Sequence, residues 1–197
     1  AGFLPEEGTL LPNPHGRIPR DVNPGEPGYD FYHKTDKSLG WDFSHRFNDT
    51  WSVRQDLRVE DAMVDHRSIG SLGLQDDLRT LNRYNFPVYD RTHLFAVDNQ
   101  AQAKFTTGDA EHILLMGVDY LRNGDDSRSA FGSAPAIDIY NPVYGAPIDR
   151  LAYTSRTESL LRQIGAYVQD QVNWGKWGIV ASGRNDWVTN DIDDVIA

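Results

Sequence analysis

Apolar and polar residues alternate along much of the chain with a period of two. Four of the five odd positions in 39–47 are apolar, and the even positions between them are glycine, aspartate, serine and arginine. After the turn pair 48–49, residues 51–59 alternate in the same way. A helix would need apolar residues three and four positions apart, which this pattern does not supply. It predicts a hairpin of two long antiparallel strands.

Two further hairpins repeat the pattern, with short turns at 107–109 and 173–176. The alternation predicts six antiparallel, sequentially paired strands, near residues 37–47, 50–62, 91–105, 111–122, 158–172 and 177–188. The Pro-rich opening, 1–30, excludes helix and central strand and is predicted to be an irregular loop. Residues 61–90, which are polar, and 123–155, rich in glycine, proline and serine, are predicted to be irregular too.

Short turns at one end of the strands and long loops at the other are typical of outer-membrane barrels. Strands of about 9–11 residues match a tilted crossing of the hydrocarbon layer. Aromatic residues near strand ends fit interfacial girdles, namely Phe47, Trp51, Phe105, Trp174, Trp177 and Trp187. The predicted fold class is all-β, an antiparallel transmembrane β-barrel segment with long extracellular loops and short periplasmic turns. Two polar residues, Gln55 and Asn99, fall on its apolar face without explanation.

A soluble β-sandwich also alternates and is the alternative fold. Opposed charges in mid-strand and long, one-sided loops favour the barrel. Low mean hydropathy does not separate the two, because only alternate residues of a barrel strand face lipid. No run approaches the roughly 18 apolar residues of a membrane helix. No basic, apolar leader opens the chain, so we expect that a signal peptide was removed or that residue 1 is not the native start.

Composition excludes several classes of function. The chain has no cysteine, which excludes disulfides and cysteine-based zinc sites, and its net charge of -10 argues against a nucleic-acid partner. Its six histidines show no metal-ligand spacing, and no GxSxG motif supports a hydrolase. The acidic cluster 191–194 lacks the glycine and distal glutamate of an EF-hand. We therefore expect no enzyme, no metal site and no cofactor.

Five motifs resemble the barrels of ferrichrome-type TonB-dependent receptors, and they occur in that family's order. They are residues 47–58, 104–109 with 114–120, 139–143, 165–171 and 183–187. In the last of them, Asn185 stands where the family has tyrosine. No single motif is strong, but together they are specific and span nearly the whole chain.

The resemblance implies that residues 1–197 are part of the domain that forms a barrel of roughly 22 strands in the bacterial outer membrane. It implies a separate plug domain that this chain lacks, a TonB complex that energises import, and surrounding outer-membrane lipid. The ligand would be a ferric siderophore of the hydroxamate type, with iron only as part of that ligand. A fragment of a passive porin and a soluble β-rich binding module are the alternatives.

One strand supplies a candidate lumen wall. Its members share one face, opposite a clearly apolar one, and are Arg54, Asp56, Arg58 and Glu60. We predict that these residues face the lumen and contact the plug. A solvated face of mixed charge is the alternative interpretation.

The long loops supply candidate ligand contacts. Hydroxamate siderophores are compact and edged with methylene groups, so a pocket for them needs aromatic faces. By the resemblance, Phe3 and Phe131 stand where the ferrichrome receptors have aromatic contacts, and Tyr140 is a third candidate. Gly70 and Leu72 fall where the family has loop tyrosines. This departure argues against ferrichrome as the specific ligand, so the prediction is a ferric siderophore whose identity is left open. Ordinary loop packing is the alternative for each aromatic residue.

Overall fold

The computed structural model describes residues 3–196. Within this range seven strands form a single antiparallel sheet, and there is no helix. The strands are β1 (Phe31–Arg46), β2 (Trp51–Leu74), β3 (Thr80–Thr107), β4 (Ala110–Ser129), β5 (Gly132–Asp138), β6 (Ser155–Trp174) and β7 (Trp177–Ile196). Their order in the sheet is β1-β2-β3-β4-β6-β7, and β5 pairs with β3 where β4 has ended. In the described part of the chain, no helix has the length and apolar character needed to cross a bilayer.

The predicted sequential, antiparallel pairing is confirmed, but the prediction that 61–90 is irregular is wrong. β2 continues to Leu74 and β3 starts at Thr80, so only residues 75–79 turn the chain. Beyond the hydrocarbon layer neither face of a strand must be apolar, and the alternation that reveals a strand in the membrane disappears. Cross-strand polar contacts take its place, as between Arg91 and Asp61 at 3.0 Å.

The predicted loop 123–155 is wrong in part for the same reason. β4 extends to Ser129, and the short strand β5 adds a seventh member to the six predicted strands. Only residues 139–154 remain without regular structure between β5 and β6. The Pro-rich segment 3–30 has no helix or named strand, as predicted.

In the half of the sheet near the short turns, the two faces differ in character. One row across the sheet is apolar, and each of its members is exposed or half-buried: Trp41, Leu57, Val97, Tyr120, Ile164 and Trp187. The adjacent row on the opposite face is acidic except for one glycine: Asp42, Asp56, Asp98, Asp119, Gly165 and Asp186. An exposed apolar face backed by a charged one is the arrangement of a barrel wall between lipid and an aqueous lumen.

The buried core lies at the other end, where β2, β3 and β5 extend beyond this band. It consists of Ile18, Leu81, Ile137 and Ile139, packed against partly buried neighbours from the N-terminal segment and β2. Segment 3–30 and loop 139–154 both contribute to this end of the molecule. The loops therefore fold onto the extended strands instead of projecting freely.

A buried arginine joins these loops. Arg83 of β3 donates hydrogen bonds to the carbonyls of Pro135 and Gly25, each at 2.7 Å, and its guanidinium lies 3.1 Å from Glu26. The other carboxylate oxygen of Glu26 accepts the amide of Gly145 at 2.7 Å. A buried ion pair is tolerable only when such additional hydrogen bonds satisfy its charges. This polar cluster ties β3, β5, segment 3–30 and loop 139–154 together.

Asn85 extends the connection on the same side of β3. Its amide donates to the carbonyl of Asp149, and its carbonyl oxygen accepts the Tyr29 hydroxyl, both at 3.0 Å. Leu81, Arg83 and Asn85 are alternate residues, so they share one face of the strand. The same alternation leads to the lipid-facing residues farther along β3. The loops thus cover the outer face of the extension, and its inner face is left for other contacts.

Candidate functional site

The four residues predicted to line the lumen share one face and form ion pairs there. Arg54 bonds Asp42 of β1, and its Nε atom lies 3.1 Å from Asp56. Arg58 and Glu60 pair at 2.7 Å. Both arginine side chains remain more than half exposed. The face is thus a solvated layer of paired charges, available for further polar contacts.

Farther along the same face, two long side chains each occupy the space over a glycine of the neighbouring strand. The Tyr167 ring crosses Gly117, and its hydroxyl donates to Asp98 at 2.9 Å. The Arg184 guanidinium crosses Gly165 and bonds Asp119 at 2.6 Å. A Cβ atom on either glycine would overlap the group above it. Glycine here permits a close approach, so that a tyrosine and an arginine lie directly against the inner wall.

An aromatic cluster stands on the inner face of the strand extension. The Phe131 ring stacks on Tyr84 with centroids 5.2 Å apart and planes 25° apart, and it meets the edge of Phe86 at 6.5 Å. Phe131 is 61% exposed, and the other two rings are half-buried. Tyr84 and Phe86 alternate with Arg83 and Asn85 on β3, so they face away from the loops. The cluster therefore continues the lumen-facing surface.

Sequence analysis missed Tyr84 and Phe86 because they fall within the segment interpreted as irregular. The signal that could have found them is the local alternation of Tyr84, Phe86 and Val88 with Arg83, Asn85 and Pro87. Gly70 pairs with Tyr84, and the tyrosine ring occupies the space above it. The Tyr84 ring thus lies over residue 70, where the resemblance leads us to expect a tyrosine and the chain has a glycine.

Phe3 is anchored through its backbone and not through its ring. The Ser71 hydroxyl donates to the Phe3 carbonyl at 2.6 Å, and the Phe3 side chain is 91% exposed. Ser71 pairs with Arg83, so this anchor belongs to the face that the loops cover. Among the described residues, no ring contact joins Phe3 to Phe131. The structure places Phe3 near the end of the extension, on the other side from Phe131.

Tyr140 packs within the loops. Its hydroxyl donates to the Gly16 carbonyl at 2.8 Å, and its ring packs against the buried core. Burial raises the pKa of Tyr140 above its ordinary value. The guanidinium of Arg79 lies 6.0 Å from the ring centroid. The structure therefore brings Tyr140 to the outer side of the extension and not to Phe131.

The tip of the β2–β3 hairpin is held by a charged turn. Asp77 accepts the Thr80 hydroxyl at 2.6 Å and the amides of Arg79 and Thr80 at 3.0 and 2.8 Å. These bonds, with the Thr80 hydroxyl first, lower the pKa of Asp77 to about 2. Within residues 3–196, no group of three or more His, Cys, Asp or Glu side chains is placed to hold a metal ion.

The two polar residues on the lipid-facing side bond each other. The Trp41 indole donates to the Gln55 carbonyl oxygen at 3.1 Å, and the Gln55 amide donates to Asn99 at 2.6 Å. Gln55 and Asn99 are direct cross-strand partners. Their pairing explains how amide side chains occur on an otherwise apolar surface, where unsatisfied polar groups are costly.

The two-faced sheet, its exposed apolar band and its charged inner wall define a segment of an outer-membrane β-barrel. Residues 2–197 match the family described as TonB dependent receptor-like, beta-barrel. The chain therefore belongs to this family, whose members are receptors of the bacterial outer membrane and not enzymes. The predicted family, fold class and location are confirmed.

Two curated relatives cover nearly the whole chain. The Ferrioxamine B receptor of Salmonella typhimurium (strain LT2) is 36% identical over 186 residues, which is 94% of this chain and 26% of that protein. The Ferrichrome outer membrane transporter/phage receptor of Escherichia coli (strain K12) is 35% identical over 218 residues, 96% of this chain and 29% of that protein. The chain thus spans about a quarter of the length of these relatives.

Solved structures of low sequence identity share the fold. The open form of the Ferric-Catecholate import receptor Fiu from E. coli K12 superposes with a TM-score of 0.81 at 18% identity, over 96% of this chain and 31% of that chain. The Ferric preacinetobactin receptor BauA from Acinetobacter baumannii gives 0.70 at 16% identity, over 82% of this chain and 25% of that chain.

Proposed function

We propose that this chain is part of a receptor that binds a ferric siderophore of the hydroxamate type and imports it with energy from a TonB complex. The observation that supports this most directly is the exposed aromatic cluster around Phe131 on the inner face. Two relatives above 30% identity are named for ferrioxamine B and ferrichrome, which are both hydroxamate chelates. Iron enters only as part of the ligand.

The chemistry of the ligand fits this surface. A hydroxamate chelate encloses its iron in polar oxygens and presents methylene groups at its edges. Aromatic rings bind such edges by excluding water from both surfaces. Phe131 is the proposed principal contact. Phe3 is a weaker candidate, because its backbone is held at Ser71 on the other side of the extension. Tyr140 is the weakest candidate of the three, because it packs in the loop core.

The paired charges of the inner wall are the proposed contacts of a plug domain outside this chain. Arg54, Asp56, Arg58 and Glu60 offer both signs of charge to a partner surface. The exposure of the two arginines, 52% and 59%, supports this role, since a wall buried by its own packing would have no charges left for a partner. In this proposal, residues 1–197 form one part of a larger barrel domain, in contact with outer-membrane lipid.

Uptake measurements test the proposed transport. The complete receptor would be expressed in a bacterium without its own hydroxamate receptors, and uptake of radioactive iron from ferrioxamine B and ferrichrome would be measured. We expect uptake of at least one of them, and we expect it to vanish when TonB is deleted. Uptake that persists without TonB would support a passive pore instead. Recovery of the receptor in the soluble fraction without detergent would support a soluble binding module.

Substitution of Phe131 tests the binding surface. An aromatic ring against the chelate contributes about 1–3 kcal/mol, so Phe131→Ala should weaken binding by roughly tenfold to a hundredfold at about 1.4 kcal/mol per decade. Barrel stability should hardly change, because Phe131 lies outside the apolar band. A binding titration on the detergent-solubilised receptor measures the effect, and an unchanged dissociation constant would remove Phe131 from the site.

A further inference from the structure

We infer that Tyr84 and Phe86 contact the ligand directly and, together with Phe131, determine which chelates this receptor accepts. This inference rests on the proposed function and assigns binding roles to two residues outside the predicted site. The three rings form one aromatic wall on the inner face of β3 and the segment that precedes β5. The occupant is an iron(III) chelate with methylene edges and no large negative charge.

The position of Tyr84 depends on Gly70 in the neighbouring strand. The two residues are cross-strand partners, and the Tyr84 ring occupies the space over the glycine, where a Cβ atom would overlap the ring. Phe131 then stacks on Tyr84 with centroids 5.2 Å apart. Gly70 is therefore required for this arrangement, because the absence of a side chain lets the Tyr84 ring lie against the sheet.

The strand that carries the aromatic wall is held in place by contacts on its outer face. Arg83 and Asn85 alternate with Tyr84 and Phe86 along β3, and their side chains bond the loops on the outer face. β3 is paired with β2 on one side and with β5 on the other at this level. A strand fixed on both edges and on its reverse face offers its remaining side chains in one orientation. Such preorganisation reduces the entropy lost on binding.

The character of the wall selects among iron chelates. The three rings carry no charge, so they offer no counter-charge to a strongly anionic tris-catecholate complex. A neutral or weakly cationic hydroxamate loses little by leaving water at such a surface, and its methylene edges gain by burial. Phe86 meets Phe131 edge-on at 6.5 Å, while Tyr84 stacks on it, so the rings present surfaces of different orientation.

Equilibrium binding to the complete, detergent-solubilised receptor tests the inference with ferrioxamine B and ferrichrome as probes. We expect Tyr84→Ala and Phe86→Ala each to weaken binding of the preferred probe by about tenfold. Tyr84→Phe keeps the ring and should retain most of the affinity. Gly70→Ala should also weaken binding, because its Cβ atom displaces the ring without deleting any contact group.

A matched control is Tyr144→Ala. Tyr144 is also partly exposed at this end of the molecule, but its hydroxyl bonds the Asn23 carbonyl within the loops. This substitution should leave the dissociation constant unchanged. Heat-modifiable mobility in electrophoresis verifies that each variant contains a folded barrel.

The outcomes separate the two proposals. If the unmodified receptor binds a probe but folded Tyr84→Ala and Phe86→Ala bind it equally well, the inference is overturned and the proposed function stands. Equal losses in Tyr84→Ala and Tyr144→Ala would also overturn it, since the effect would then be general to the loops. If the unmodified receptor binds neither probe, the proposed function fails and the inference fails with it.

Discussion

A hydrogen bond between Gln55 and Asn99 allows two amide side chains to lie on the lipid-facing surface. Each residue alone would present an unsatisfied polar group to hydrocarbon. Together they form a short chain that starts at the Trp41 indole and ends at Asn99. The cost of polarity in the membrane is therefore a property of the pair and not of either residue.

This coupling predicts an asymmetric response to substitution. Asn99→Leu should lower the free energy of unfolding by about 1 kcal/mol, because the Gln55 amide loses its partner in lipid. In a Gln55→Leu background, where no Gln55 amide is left to lose a partner, the same Asn99→Leu substitution should lower the free energy of unfolding by less. Denaturant titration of the receptor in lipid vesicles measures both. Additive losses in the double variant would contradict the pairing.

The lowered pKa of Asp77 predicts a pH response at the hairpin tip. Its ionised form is favoured in the folded state, so its contribution is fully present above the ordinary pKa of 3.8 and is lost as the pH falls through about 2. Protection of the Thr80 amide against hydrogen exchange should stay constant from neutral pH to about 5 and fall only in strong acid. In Asp77→Ala that protection should be reduced at neutral pH, which mass spectrometry of the tip peptide would detect.

At the scale of single strands, close approach over glycine recurs on the inner face. Tyr84 over Gly70 and Tyr167 over Gly117 follow the same rule, in which a ring from one strand fills the space left by a partner without a side chain. Such pairs stabilise a sheet at positions where glycine alone would weaken it. The rule links the lumen wall to the aromatic cluster.

The rule predicts which glycines tolerate a side chain. Gly117→Ala should lower the free energy of unfolding by about 1–3 kcal/mol, because the added Cβ atom overlaps the Tyr167 ring and forces it to move. Gly183→Ala is the control, since open space surrounds that position. Thermal unfolding of both variants in detergent provides the comparison. Equal effects would show that the loss comes from glycine flexibility and not from ring contact.

The sequence was sufficient for the strands inside the membrane and insufficient for their extensions. Lipid on one side and water on the other impose the alternation that predicts 39–47 and 51–59. In 61–90 both faces meet water or loops, so the pattern that marks a strand is lost except in the short run 83–88. The partner of Tyr84 depends on register, which a single sequence does not specify once the alternation has faded.

The site was predictable only where the resemblance supplied it. Phe131 lies on the inner face, while Phe3 and Tyr140 lie toward the loops on the outer face. All three are loop aromatics of similar sequence context, and nothing local distinguishes a ring that packs inward from one that faces the lumen. The burial of Glu26 with Arg83 was equally invisible, because the two residues are far apart in the chain.

At the scale of the whole molecule, the outer strands of the sheet have free edges. Among residues 3–196, β1 pairs only with β2, and β7 pairs only with β6. A barrel closes such edges by pairing them with further strands, whereas an open sheet exposes unpaired backbone groups. The apolar face of the same sheet is also exposed.

This chain expressed alone should therefore associate or precipitate in plain buffer. The expected result in light scattering is a mass well above that of one chain, at every concentration that gives a signal. The complete receptor in detergent, with its edges closed, is the control and should give a defined particle. A monomer that unfolds cooperatively in plain buffer would contradict the prediction.

β3 divides two tasks between its alternate residues. Arg83 and Asn85 bond the loops, and Tyr84 and Phe86 face the lumen. Adjacent residues of β3 therefore have separate structural roles. On the inferred role of Tyr84 and Phe86 in ligand binding, substitutions at the inward positions would retune ligand choice while the outward positions preserve the architecture. The strand is a convenient place to redesign selectivity, for example to admit an antibiotic coupled to a synthetic chelator, with changes at two positions and without rebuilding any loop.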